Sequence, residues 1–221
     1  MRPHRLSRAV AALAAAATVL VYAIAGAAPA ASAAPAPSAP QVDLAALAAA
    51  TPVPASQAFA QLEARKAAAK AAGLAASWVC ESVTFKSGNF YVSAEFGWTG
   101  SGAGMLRARS QTVGPWETFG MCWDGAYYVI TPLYEPSGRE LYVATEKDYK
   151  SNDYGMLRAR SEAIGTWEQY TITWYGSGPD YISIKARAND RYVAAERQWT
   201  GDRFGMLRAR STSVGPWEQF K

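Results

Sequence analysis

Short alternating runs of apolar and polar residues dominate the chain from Ser77 onward. Over 181–220, four such runs read "YISIKAR", "RYVAAE", "GMLRARS" and "WEQF". They are separated by the turn-forming stretches "AND", "TGDRFG" and "TSVGP". A period of two with many β-branched and aromatic residues is typical of half-buried strands. The pattern therefore predicts four short strands in about fifty residues.

The same pattern is written three times. Equivalent tyrosines, methionines and tryptophans recur at spacings of 51 and 50 residues, and "GMLRARS" stands unchanged in each copy: Tyr91, Tyr142, Tyr192; Met105, Met156, Met206; Trp116, Trp167, Trp217. A fixed period of this length indicates a repeat architecture. We expect copies at about 77–123, 124–174 and 175–221.

Three four-stranded copies give twelve strands, which are too few for a propeller. We expect the last strand to pair with the opening strand near "SVTFKS" and so to close a ring without exposed edges. The predicted fold class is therefore all-β, a β-trefoil of three four-stranded repeats.

The repeats resemble the fascin-like β-trefoil domains of the actin-crosslinking-like superfamily. The resemblance rests on "ISIKARANDRYVAAE", "MLRARS" and "GPWEQF", in fixed order, and covers about 77–221. The family contains actin-bundling proteins and secreted bacterial binding domains, so the resemblance implies a fold and a binding role, not a reaction. The family's actin sites are not recognisable here, and none is carried over.

The N-terminal part has a different composition. Residues 1–33 combine the basic start "MRPHRLSR", an apolar run and "ASA", which is typical of a secretory signal peptide; a membrane anchor is the alternative. Residues 34–76 are rich in alanine and proline and read as a linker or pro-segment, with a helix over 56–72 and Ser56 as its N-cap. We expect a partly helical spacer in a secreted, extracellular protein without a stable membrane anchor.

Charge and histidine content exclude several functions. The formal charge of +4 falls to +1 without Arg2, Arg5 and Arg8, and we expect no nucleic-acid partner. The only histidine, His4, lies in the predicted signal, which excludes histidine-based triads and histidine-ligated metals from the mature chain. We expect neither an enzyme nor a cofactor site.

Two cysteines remain, Cys80 and Cys122. In an exported chain an even number favours a disulfide, with two buried thiols as the alternative.

Each "MLRARS" strand places leucine and alanine on one face and methionine and two arginines on the other. The first face suits the crowded barrel axis, and Trp116, Trp167 and Trp217 with Phe119, Tyr170 and Phe220 are expected to fill the lower core. Six repeated arginines accompany six repeated glutamates, which predicts structural ion pairs, with an anion- or sugar-binding arginine pair as the alternative. They are Arg107, Arg109, Arg158, Arg160, Arg208, Arg210 and Glu95, Glu117, Glu146, Glu168, Glu196, Glu218.

The loops between the second and third strands vary in sequence but not in length. They read "FGWTGSGAG", "KDYKSNDYG" and "RQWTGDRFG", and aromatic rings beside carboxylates suit sugars. The candidate ligand-binding residues are Trp98, Tyr149, Tyr154, Asp153, Trp199, Asp202 and Phe204. We expect the second and third copies to bind better than the first, whose loop lacks a carboxylate; the alternative is that the rings form a lid on the core.

The function predicted is a secreted, non-catalytic carbohydrate-binding module. We expect it to be a monomer, with a polysaccharide or glycan as partner. The alternative is a protein-binding trefoil, of actin-crosslinking or inhibitor type, that acts through the odd loop "PLYEPSGRE" at 132–140. A glycosidase is disfavoured because each repeated glutamate has an arginine nearby, which lowers rather than raises a carboxyl pKa.

Overall fold

The computed structural model describes residues 43–73, 78–176 and 180–221, and the predicted signal peptide lies outside them. Within these ranges no helix is both long and apolar enough to cross a membrane. The helices are α1 (Leu44–Ala49) and α2 (Ala55–Ala71). The strands are β1 (Val53–Pro54), β2 (Val79–Thr84), β3 (Lys86–Ser87), β4 (Phe90–Glu95), β5 (Met105–Ser110), β6 (Phe119–Trp123), β7 (Tyr128–Pro132), β8 (Tyr142–Glu146), β9 (Met156–Ser161), β10 (Tyr170–Tyr175), β11 (Tyr181–Ala186), β12 (Arg191–Ala195) and β13 (Leu207–Ser211).

The strands form the barrel and hairpins of a β-trefoil. The barrel wall runs β2-β6-β7-β10-β11 in antiparallel order. At its seam the Lys86 and Lys221 backbones exchange two hydrogen bonds of 2.8 and 2.9 Å, and Ile182 bridges Phe220. The end of the chain therefore closes on the first copy, as the sequence predicts.

Three hairpins cover one end of the barrel: β4–β5, β8–β9 and β12–β13. Each has the same register, with Val92 opposite Ala108 in the first, and each has a register shift just before that valine. Leu106 and Ala108 are buried in the main core with their counterparts in the other copies. The leucine–alanine face of the strand points inward, as the period of two predicts.

The lower core contains the three residues expected from the last strands but not the three repeated tryptophans. Phe119, Tyr170 and Phe220 are fully buried, but the three repeated tryptophans are half-buried and lie outside the core cluster: Trp116, Trp167, Trp217. The first is part of a short 3₁₀ turn, and its ring reaches over Gly97, where an added Cβ would lie 3.4 Å away. The tryptophans therefore cover the outside of the hairpins, and the prediction that they fill the core is wrong.

The N-terminal segment packs on the barrel. β1 runs parallel to β2, with Val53 opposite Val83, and α2 lies against β2 and β11. Ala55, Ala58 and Leu62 on one face of α2 are fully buried in the main core. The structure differs here from the spacer expected from alanine-rich composition, because small side chains let the helix approach the sheet closely.

Polar contacts fix the same helix. It begins at Ala55, with Pro54 and not Ser56 at the N-cap, and the Ser56 hydroxyl donates to Asp180 at 3.0 Å instead. Lys66 Nζ lies 3.6 Å from the centre of the Trp123 ring and 3.2 Å from the Tyr128 hydroxyl. Burial raises the pKa of this tyrosine, which stays a neutral phenol.

The predicted disulfide is confirmed. Cys80 and Cys122 are directly opposite on β2 and β6 and are joined by a bond of 2.04 Å. The cross-link therefore fastens the two barrel strands that open and close the first copy.

Candidate functional site

The first arginine of each "MLRARS" strand holds the hairpin of another copy. Arg158 Nε donates to Ala103 O at 2.9 Å, and Arg158 Nη2 donates to Gly100 O at 3.2 Å. Corresponding bonds run from Arg107 to Phe204 O and Gly201 O, and from Arg208 to Tyr154 O and Ser151 O. The six hydrogen bonds of these three arginines form a cycle around the hairpin end of the barrel.

The second arginine pairs within its own copy. Arg109, Arg160 and Arg210 each donate through Nε and Nη2 to one glutamate, and those carboxylates are almost fully buried: Glu95, Glu146, Glu196. The hydrogen bond to its glutamate raises the pKa of each of these arginines. Desolvation has the opposite effect on Arg107 and Arg208, whose pKa it lowers.

The other three glutamates make a different contact, which corrects the predicted ion pairing. Glu117, Glu168 and Glu218 each accept the backbone N–H of the glycine three residues earlier, at 2.8–2.9 Å. No arginine, lysine or histidine nitrogen of the described residues lies within 4.0 Å of them. They close the 3₁₀ or tight turn before the last strand of each copy, where a free N–H needs an acceptor.

The hairpin end of the barrel contains a second, small core. Met105, Met156 and Met206 are buried together, and one half-buried ring from each loop packs on them: Trp98, Tyr149, Trp199. The arginines beneath hold the rings: Arg107 lies 5.0 Å from the Trp98 ring centre, Arg208 lies 5.1 Å from that of Trp199, and Arg158 Nη1 donates to the Tyr149 hydroxyl at 2.6 Å. The three rings are therefore half-buried, and they partly form the lid on an apolar core that was the alternative to sugar binding.

A pocket of about 250 Å³ opens above the methionines, and we call it the axial pocket. It lies where the three hairpin loops converge, and every copy contributes to it. Its lining consists of Trp98, Thr99, Ser101, Gly102, Met105, Asp153, Met156, Asp202, Arg203 and Met206.

The copies contribute different side chains to the axial pocket. Gly102, Asp153 and Arg203 occupy equivalent positions in the repeat. Because the first copy has glycine there, the ring of Trp98 reaches the pocket, whereas Arg203 lies 6.0 Å above the ring of Trp199. The loop sequences predict better binding by the second and third copies than by the first. The structure instead forms one shared pocket, to which the first copy contributes the aromatic ring of Trp98.

Charges line one side of the axial pocket. Arg203 Nη2 lies 3.1 Å from Asp153 Oδ1, and both side chains are partly exposed. Asp202 is exposed, and no hydrogen bond reaches its carboxylate from the part of the chain that the structure describes. With Ser101 and Thr99 the pocket offers carboxylate, guanidinium and hydroxyl groups around an apolar floor.

Tyr154 and Phe204, also candidate ligand-binding residues, lie elsewhere. Phe204 packs edge-on against Phe90 with ring centres 5.3 Å apart, and the Tyr154 hydroxyl accepts a hydrogen bond from Asn189 at 3.3 Å. Each ring thus fills a boundary between two copies. The equivalent residue of the first copy is Ala103.

Sequence reasoning missed the floor of the axial pocket. The three methionines fall on the arginine face of the strand, for which the repeated charges predict ion pairs and no apolar cluster. A thrice-repeated methionine on an outer face is the signal for a second apolar cluster, and it is readable without coordinates.

No protein-family model matches this sequence, and no curated protein matches it. Among solved structures it is similar to a designed threefold symmetric protein, ThreeFoil, at 18% identity and a TM-score of 0.49, over 63% of this chain and 96% of that chain. It is also similar to a mosquitocidal holotoxin at 12% identity and a TM-score of 0.52, over 64% of this chain and 17% of that chain. The chain therefore spans less than a fifth of the holotoxin, and the likeness concerns the fold alone.

Proposed function

We propose that this protein is a secreted, non-catalytic binding module and that its ligand is a carbohydrate held in the axial pocket. The observation that supports this most directly is the composition of the pocket, in which one tryptophan, two carboxylates and an arginine surround an apolar floor. Sugars present apolar C–H faces beside hydroxyls that both donate and accept, and this combination suits them.

The individual contacts have defined roles in this proposal. The C–H face of one pyranose unit rests on Trp98 and the methionine floor, and its hydroxyls donate to the unoccupied carboxylate of Asp202. Arg203 donates to a sugar oxygen while Asp153 fixes its direction at 3.1 Å. A pocket of about 250 Å³ takes no more than one sugar unit, so we expect weak binding that a polymer strengthens by presenting many units.

The arrangement argues against catalysis. A glycosidase needs one carboxylic acid with a raised pKa opposite a second carboxylate. Asp153 has an arginine beside it, and Asp202 is exposed to solvent, so neither lies in the apolar, enclosed surroundings in which glycosidases place such an acid.

The test is retention of the full chain on insoluble cellulose, chitin, xylan and peptidoglycan. We expect Asp202→Ala and Trp98→Ala to lower retention on the polymer that binds by about tenfold, which is the loss expected for one hydrogen-bonded or stacked contact. Trp174→Ala is the matched control, since this tryptophan is exposed and lies outside the pocket. The proposal fails if no polymer retains the protein or if the control variant loses as much as the others.

A second candidate is protein binding by the long turn after β7, and one observation favours it. Tyr134 is 41% exposed at the start of this turn, and tyrosine is enriched at protein–protein interfaces. Tyr134→Ala would then abolish capture of a protein partner without changing polysaccharide retention.

A further inference from the structure

The boundaries between the copies are built alike but are not filled alike. At each boundary a glycine approaches the alanine of the next "MLRARS" strand so closely that an added Cβ would lie 2.2–2.3 Å from the alanine oxygen: Gly104 on Ala159, Gly155 on Ala209 and Gly205 on Ala108. The residue before the glycine is Ala103, Tyr154 or Phe204. Two boundaries therefore hold a ring, and the first holds only a methyl group.

A cavity of about 310 Å³ lies at this first boundary, and we call it the inter-copy cavity. Ala103, Gly104 and Ala159 form its inner wall, and Phe96 lies at one side. The outer wall is the long turn between β7 and β8. The cavity thus occupies the place that corresponds to the rings of the other two boundaries.

The long turn is particular to the second copy and is internally fixed. Ile130 and Tyr142 are twelve positions apart, against eight for the equivalent Val83 and Tyr91 of the first copy. Glu135 Oε2 accepts the Ser137 N–H at 2.8 Å, the Ser137 hydroxyl and the Arg139 N–H at 3.0 Å, and Glu135 Oε1 accepts Arg139 Nη2 at 3.1 Å. The long turn, which is the outer wall of the cavity, is therefore held in place by its own hydrogen bonds without a ligand.

Donors outnumber acceptors in the inter-copy cavity. Arg139, Arg158 and Arg160 line it, and the single lining carboxylate, Glu135, is occupied by its own turn. Arg160 uses Nε and Nη2 on Glu146, so that Nη1 has no hydrogen-bond partner among the described residues.

Arg139 already contacts one carboxylate loosely. Its Nη1 lies 3.7 Å from Oε1 of Glu162, whose side chain is 69% exposed. A pairing at this distance in solvent is weak, and a ligand can displace it.

We propose that the inter-copy cavity binds the carboxylate of an acidic sugar unit, with the ring against Ala103 and Phe96 and the carboxylate between Arg139 and Arg160. A cavity of this volume is at the lower limit for small-molecule sites and suits one monosaccharide. Two guanidinium groups give a carboxylate charge-assisted hydrogen bonds. The choice of a sugar rests on the proposed function; the site itself is separate from the axial pocket.

The test is titration of the full chain with sodium D-glucuronate, followed by amide NMR, with D-glucose and sodium acetate as comparison ligands. We expect perturbed amides at Ala103, Gly104, Glu135 and 137–139, and at least about tenfold weaker binding of glucose and of acetate. Equal binding of either comparison ligand would overturn the proposal.

Variants locate the site. Ala103→Tyr copies the residue of the second copy and fills the cavity, so glucuronate binding should fall at least about tenfold while Tm stays the same or rises. Arg139→Gln should cause a similar loss, and Glu162→Gln should strengthen binding about twofold by removing the competing carboxylate. Lys70→Gln, the same charge change on the exposed face of α2, is the control. Unchanged binding in both Ala103→Tyr and Arg139→Gln would contradict the proposal, and Arg139→Gln decides alone if Ala103→Tyr does not fold.

Failure of this site is distinguishable from failure of the proposed function. Asp202→Ala lowers polymer retention and leaves the glucuronate-induced amide shifts at Glu135 and 137–139 unchanged. Ala103→Tyr acts on glucuronate binding and leaves retention on a neutral polymer unchanged.

Discussion

Arg158 and Ala103 belong to different copies of the repeat, and the guanidinium Nε of the first donates to the carbonyl oxygen of the second at 2.9 Å. The contact is side chain to backbone, so it depends on the arginine alone and not on the sequence of the loop it holds. This explains how the loops vary while the "GMLRARS" strands remain identical.

Replacing Arg158 by lysine should lower the free energy of unfolding by about 2 kcal/mol, because one ammonium group cannot reach Ala103 O, Gly100 O and the Tyr149 hydroxyl together. Urea unfolding measures the loss. Arg65→Lys, at an arginine that is 57% exposed, should change stability by less than about 0.5 kcal/mol. Equal losses in the two variants would show that the cycle of hydrogen bonds contributes nothing.

The two kinds of repeated glutamate should respond differently to conversion to glutamine. Glu146→Gln leaves Arg158 and Arg160 beside a neutral, buried amide and should cost about 2 kcal/mol, less than a fully buried pair because Arg160 is 42% exposed. Glu168→Gln keeps an oxygen that accepts the Gly165 N–H and should cost under about 1 kcal/mol. Thermal unfolding of both variants at neutral pH compares them, and a reversed order would contradict the assignment.

The packing of α2 predicts that Leu62→Ala destabilises the whole domain by about 2–4 kcal/mol, the usual cost of emptying a fully buried leucine site. Lys70→Ala on the exposed face of the same helix should be nearly neutral. Guanidinium unfolding followed by tryptophan fluorescence reports both changes. If Leu62→Ala were neutral, the helix would be the spacer that its composition suggests.

Acid should loosen the long turn after β7. Burial alone would raise the pKa of Glu135, but the hydrogen bonds from Ser137 and Arg139 outweigh it and lower the pKa from 4.5 to about 2. A depressed carboxyl pKa stabilises the folded state above the unfolded pKa, and this contribution is lost as pH falls from about 4.5 to about 2. We expect a loss of about 1 kcal/mol, reduced by the exposure of Arg139, visible in the Gly138 amide signal. Glu135→Gln should abolish the pH dependence of the Gly138 amide signal between about pH 4.5 and about pH 2.

Much of the barrel was predictable because it repeats. The inward leucine and alanine of "MLRARS", the closure at Lys221 and the disulfide follow from period, spacing and cysteine number. The role of α2 was not predictable, because an alanine-rich helix has little hydrophobic contrast between its faces. Such a sequence is compatible with a spacer and with a close-packed helix.

The candidate site was harder to predict, for a different reason. Trp98, Asp153 and Asp202 were identified one copy at a time, but the structure brings them to one pocket on the shared axis. Repeat alignment compares equivalent positions, whereas this pocket combines non-equivalent residues of three copies. Only the three-dimensional arrangement reveals which of them meet.

The cycle of arginines has a consequence for how the chain is made. The first hairpin loop is held by Arg158 and the second by Arg208, and each of these arginines is synthesised after the loop that it holds. The third loop is held by Arg107, which is synthesised long before it. These contacts join residues 55, 54 and 97 positions apart. No copy holds its own hairpin loop, so the last ordering step must follow synthesis of the third copy, and folding is expected to be slow for a domain of this size.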